Sequence, residues 1–132
     1  MYQLCKKFFL KKKHHSRTPA LKKCPQAKGA VKRPRIVTPR KPNSARRPVA
    51  KVLLNNKKRV TAHIPGIGHN IRSHSSVLVR GGGARDLPGV RYTCIRGVYD
   101  FIGLINKKRR RSIYGAKQTV KFKKMRRRFR LQ

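Results

Sequence analysis

The chain has 132 residues, of which 38 are Lys or Arg and 2 are acidic, giving a formal net charge of +36. A compact free monomer of that charge repels itself, so a polyanionic partner is required. Folded RNA suits best, because each neutralised phosphate releases condensed counterions. The same composition excludes most enzyme classes: Glu is absent, and the lone carboxylates Asp86 and Asp100 lie 14 residues apart, which leaves paired-carboxylate, two-metal and acidic-triad chemistry almost without candidates.

Met1 to about Arg35 reads as a basic arm. Pro19, Pro25, Pro34, Pro39, Pro42 and Pro48 interrupt the first half of the chain too often for the long amphipathic helix of a membrane-surface peptide. No run approaches the ~20 apolar residues of a membrane span, and Phe8-Phe9-Leu10 is too short for a secretory h-region. Cys5, Cys24 and Cys94 are widely spaced with no C-x-x-C. They suggest neither a disulfide framework nor a zinc ribbon, and they fit a reducing compartment. His14, His15, His69 and His74 are read as partners of phosphate or backbone, so neither a metal nor a cofactor is expected.

Ile36 to about Leu104 is expected to fold as the one domain with a core, built from short β-type runs bounded by turn residues. A first strand is expected near Ile36 to Thr38. Val49 to Leu54 and Arg59 to Ile64 flank Asn55-Asn56 and read as a hairpin, since Asn tolerates the positive φ of tight turns. Val60, Ala62 and Ile64 share one face of the second arm, the period of two of a half-buried strand. Further strands are expected at Ser76 to Arg80 and Val90 to Arg96. About five strands predict an all-β fold, a small closed barrel of the oligonucleotide-binding (OB) type. Some 70 residues bury only roughly 60% of their unfolded surface, so RNA must help order the rest.

The connections carry the candidate chemistry. Pro39-Arg40-Lys41-Pro42-Asn43-Ser44-Ala45 is an extended loop stiffened by two prolines, with an amide and a hydroxyl at its tip. Such groups suit the 2′-hydroxyls of an A-form minor groove, and an ordinary basic linker accounts for the residues equally well. Leu87-Pro88-Gly89 predicts a type II turn that projects Arg85 and Asp86 from the barrel rim. Gly81-Gly82-Gly83 lacks phosphate-loop spacing and Gly66-x-Gly68 lacks the third glycine of a dinucleotide fingerprint, so both read as tight turns or close approach to RNA. From Ile105 the chain is a basic tail, with Val120, Phe122, Met125 and Phe129 set among Lys and Arg as wedges for RNA grooves. Arm and tail lack the apolar residues to offset ordering costs of about 1–2 kcal/mol per residue, and are expected to be disordered when free.

Four stretches go beyond composition: residues Pro39 to Ala45, His63 to Asn70, Arg80 to Tyr92, and Arg111-Ser112-Ile113-Tyr114-Gly115. Together they resemble small-ribosomal-subunit protein S-twelve, over about Ala20 to Ala116 and more loosely at Gln3-Leu4. The resemblance implies a non-enzymatic constituent of the small ribosomal subunit, with a five-stranded OB barrel at the decoding face and an N-terminal extension threading through rRNA. Its implied partners are small-subunit rRNA, the nearby codon–anticodon helix of mRNA and tRNA, and neighbouring ribosomal proteins. Pro42, Asn43 and Ser44 match the family loop beside that helix. Lys41, Arg85 and Pro88 match positions that contact decoding-site rRNA and affect accuracy and streptomycin response, and Asp86 matches a modifiable aspartate. The implied mechanism is geometric, because a rigid loop reads pairing shape and 2′-OH placement.

The chain also departs from the family pattern. Arg40 and Arg85 stand where Lys is usual, Ile67 and Ser73 where acids are usual, and Arg46 where an apolar residue is usual. Ala62 to Gly66 and Cys94 to Val98 resemble mitochondrial members. A start close to the family's own start leaves little room for a presequence, so a protein of the mitochondrial ribosome is expected, with encoding in the organelle as one option and a plastid or bacterial origin as the alternative. Two other classes stay open on the residues: a free single-strand-binding RNA chaperone, which needs stacking platforms that Tyr92, Tyr99, Phe101 and Tyr114 do not form in pairs, and a cationic membrane-active or chromatin-like protein.

Overall fold

The computed structural model describes residues 15–118. Five strands, β1 (Gln26–Val37), β2 (Arg47–Leu54), β3 (Arg59–His63), β4 (Ser76–Gly81) and β5 (Tyr92–Ile95), close into a barrel in the order β1-β2-β3-β5-β4. β1 pairs antiparallel with both β2 and β4, which closes the ring, and β3 pairs parallel with β5. This is the OB topology, with no sheet edge left open around the ring.

The period of two explains the core. Val31 from β1, Ala50, Val52 and Leu54 from β2, Val60 and Ala62 from β3, Val77 and Val79 from β4, and Tyr92 and Cys94 from β5 all point inward and are buried. Val60, Ala62 and Ile64 fall on one face as expected. A short 3-10 turn, Pro19–Leu21, adds Ala20 and Leu21 to the same cluster. It is tied there by the Ala20 N–H donating to the Tyr92 hydroxyl at 3.1 Å and by the Asn56 side-chain amide donating to the Ala20 carbonyl at 2.6 Å.

Three expectations about the elements need correction. The first strand begins at Gln26, so residues 26–35, read as part of the basic arm, form barrel wall. Within β1 only Gly29 and Val31 are buried, against an outer row of Lys and Arg, so period-two apolar alternation is missing. Pro34 is tolerated because β4 pairs only with Gln26 to Ala30, leaving β1 a partner on one side at that point. In the β2–β3 turn the positive φ falls on Lys57, at 62°, and not on the asparagines. The Lys57 N–H donates to the Leu54 carbonyl at 2.9 Å and the Leu54 N–H to the Lys58 carbonyl at 3.0 Å, a type I turn followed by a left-handed bulge residue. Finally, β5 is shorter than expected: Val90 packs elsewhere, and Arg96 leaves the strand to act as a buried clamp.

Arg96 is 3% exposed and faces no carboxylate among the described residues. Its guanidinium donates to the carbonyls of Pro65, Gly68 and, at 3.1 Å, Ile102, and its carbon lies 4.4 Å from the Phe101 ring centroid. Burial lowers its pKa, and Tyr114 opposes that shift. The arrangement binds the β3–β4 connection to the segment 97–116. Asp100 adds a second tie, its carboxylate accepting from the Ser76 N–H at 2.6 Å.

Candidate nucleic-acid interface

The two connections that carry the sequence-predicted site, residues 38–46 between β1 and β2 and residues 82–91 between β4 and β5, meet. The Arg40 N–H donates to the Asp86 carbonyl at 3.1 Å, and the Asn43 N–H closes a turn on the Arg40 carbonyl at 3.0 Å. Arg47, at the start of β2, donates from Nε to Asp86 Oδ2 at 2.7 Å. Asp86 therefore joins the two loops through both its backbone and its carboxylate. Beneath them Leu87 and Val90 pack on Val49, with Val37 and Ala84 at the margin, as a second small apolar cluster.

The glycines explain how so short a loop folds down. Gly89 has φ +73° after Pro88, the conformation the predicted turn requires. A Cβ on Gly83 would collide with the Val90 carbonyl. The glycine run thus serves close approach of the chain to itself. The Thr93 hydroxyl donates to the Gly82 carbonyl and pins the same stretch to β5.

Pro42, Asn43, Ser44, Ala45, Arg47, Arg85 and Asp86 line one open cavity of about 510 Å³. Five predicted site residues, Pro42, Asn43, Ser44, Arg85 and Asp86, are brought together there. Lys41 and Pro88 are exposed on the same loops but outside that lining. Arg85 points to solvent as expected, whereas the Asp86 side chain is only 13% exposed, drawn inward by Arg47. The hydrogen bond from Arg47 holds the Asp86 carboxyl below the usual carboxylate range. His63 is pushed down first by burial and then by Arg47, with Asp86 opposing, so its neutral ring is favoured.

Arg47 and His63 were not singled out from sequence. Arg47 and Asp86 are 39 residues apart, and one basic run looks like another until the barrel closes. The scarcity of acids was the only available signal: two carboxylates among 38 cations favour ion pairing, which Asp86 achieves with Arg47, whereas Asp100 accepts from the Ser76 N–H.

Other features bear on the alternatives. Lys32, Lys51 and Arg59 border a shallow groove across the outside of β1, β2 and β3, extending the cationic surface beyond the loops. Burial pushes the Cys94 thiol up to about 12, so it is no nucleophile. Among the described residues no three His, Cys, Asp or Glu side chains group as metal ligands, and no helix is long and apolar enough to cross a membrane. The tail residues Val120, Phe122, Met125 and Phe129, and the first part of the arm with His14, lie outside the described residues.

Comparison with known proteins agrees with this geometry. Residues 14–126 match the family model described as ribosomal protein S12/S23. A relative from Paramecium tetraurelia, the small ribosomal subunit protein uS12m, is 64% identical over 125 residues, covering 92% of this chain and 90% of that protein.

Proposed function

This chain belongs to the ribosomal protein S12/S23 family, and from that membership we propose that it supports accurate decoding in the small subunit of a mitochondrial ribosome. As a ribosomal protein it is a structural component and not an enzyme. Small-subunit rRNA is its main partner, with neighbouring ribosomal proteins around it. The loop pair 38–46 and 82–91 serves the decoding site, next to the codon–anticodon helix.

The observation that carries this reading is the double attachment of Asp86 to Arg40 and Arg47. A loop that reads the shape of an A-form minor groove must hold its hydroxyl and amide in place before the RNA arrives, since positional slack of about 1 Å erodes discrimination. The prolines limit the backbone of the first loop, and Asp86 fastens it to the second. Asn43 and Ser44 then offer a short amide and a hydroxyl for 2′-OH contacts. Lys41, Arg85 and the exposed Pro88 face phosphates and bases of decoding-site rRNA. Modification of Asp86, if the chain carries it, would sit at the joint between the loops. Most of the other cations anchor the protein by phosphate neutralisation, which sets affinity and salt dependence but no selectivity.

The test is Ser44→Ala in ribosomes carrying the full chain. Misreading of near-cognate codons should change while the amount of assembled subunit on a sucrose gradient does not. Unaltered misreading would sink the assigned role of Ser44, and a chain that stays at the top of a low-salt gradient beside intact subunits would sink the ribosomal reading.

A further inference from the structure

Next to the loop cavity, and sharing only Arg47 with it, lies a second groove of about 590 Å³. Four guanidiniums border it: Arg46 and Arg47 at the entry to β2, Arg80 from β4, and Arg110 from the segment 97–116. No carboxylate lines it, and the only ion pair among the described residues is Arg47 with Asp86. Arg46, Arg80 and Arg110 are exposed and have no carboxylate partner. Two rings, His63 and Tyr114, also line it, beside the apolar Pro48, Ile64, Pro65 and Ile113.

Both walls are fixed without any ligand. On one side Arg96 grips the Pro65 carbonyl, and the Leu104 N–H donates to the Tyr114 carbonyl at 2.9 Å. Gly66, at φ +89°, lies so close to the Tyr114 ring that an added Cβ would stand 3.3 Å from Cδ1. On the other side the Thr93 hydroxyl holds the Gly82 carbonyl, and Gly83 is packed against Val90. A groove of about 590 Å³ is larger than one phosphate needs and falls within the ~300–1,000 Å³ of small-molecule and cofactor sites, room enough for a nucleotide. Guanidinium forks match phosphate oxygens, and ring faces accept a base. The neutral state favoured for His63 makes it a ring rather than a fifth charge.

We propose that this groove is a second RNA site, distinct from the decoding loops, which holds one rRNA nucleotide turned out of its helix, with the phosphate on the arginines and the base among His63 and Tyr114. The proposal rests on the reading of the chain as an rRNA-bound ribosomal protein.

The experiment uses small subunits assembled with the full chain carrying Tyr114→p-benzoylphenylalanine, irradiated and mapped by reverse-transcription stops. A single strong stop at one unpaired nucleotide is expected. Its yield should fall about tenfold in the Arg80→Gln/Arg110→Gln background, as expected for lost charge-assisted phosphate contacts, and should recover with Arg80→Lys/Arg110→Lys. Cross-links to another protein, to base-paired RNA at scattered positions, or to nothing although the chain co-sediments with the subunit, each overturn the groove assignment. In those cases a normal response to Ser44→Ala leaves the decoding role standing, so the two failures are separable. A chain that never enters the subunit overturns both.

Discussion

The loop pair 38–46 and 82–91 and the segment 97–116 are both irregular backbone laid against one barrel, and different chemistry holds each. The loops rest on the Asp86–Arg47 pair, in which the Arg47 side chain is 41% exposed, and on a patch built around Val49, Leu87 and Val90. Such a pair is screened by water and salt, so it positions more than it stabilises. The segment rests on Arg96, 3% exposed, which satisfies three carbonyls and stacks on Phe101. Removing one partner from a buried polar cluster strands the others, which is more costly than losing an ion pair whose Arg47 side stands open to water. The protein thus combines a frame that tolerates little change with loops whose geometry responds to local charge.

Breaking the frame should have the largest effect. Arg96→Met leaves the carbonyls of Pro65, Gly68 and Ile102 without their donor and should cost about 3–5 kcal/mol of unfolding free energy, measured by denaturant titration of the full chain. A loss below about 1 kcal/mol would mean that water replaces the guanidinium at no penalty. The two carboxylates give a finer comparison. Asp100→Asn weakens the tie to the Ser76 N–H and should lower stability by about 1 kcal/mol. Asp86→Asn should leave the melting temperature close to wild type and change misreading instead. If Asp86→Asn lowers melting as much as Asp100→Asn, the contrast between loops and frame is wrong.

The smallest effect should come from pH. His63 has its pKa lowered from an ordinary 6.5 by burial and by Arg47, so the unfolded or opened chain takes up the proton first. Its contribution is therefore complete above about 6.5 and shrinks as pH falls below that value. Asp86, also held low, contributes fully above an ordinary 3.8 and is lost only at stronger acidity. Amide exchange of the loops, corrected for intrinsic rates, should quicken modestly from pH 7.5 to 5.5, while the β2 and β4 amides hold. Equal quickening everywhere would place the sensitivity in the barrel.

Legibility followed from how local each signal is. β3 and the interior of β2 were readable because Val60, Ala62 and Ile64 alternate with polar residues. β1 was not, because its inner face is reduced to Gly29 and Val31 while Lys28, Lys32, Arg33 and Arg35 belong to the cationic exterior, making a barrel strand look like an arm. The Leu87-Pro88-Gly89 turn was legible since its dihedral demands are local, and Gly89 has the required positive φ. Motif resemblance identified the loop residues, yet nothing local could pair Asp86 with Arg47 or aim Arg96 at three carbonyls. Those contacts exist only once distant strands are in register, and they decide how rigid the site is.

The turn at Pro19–Leu21 has a mechanical consequence. Ala20 and Leu21 are seated in the barrel core, and the Tyr92 hydroxyl and the Asn56 amide latch the Ala20 backbone. Residues 15–18 therefore meet the barrel at a fixed mooring, and tension on them would be delivered to β5 and to the β2–β3 turn. A ligand that pulled on residues 15–18 would load the barrel directly, because the core itself is the anchor.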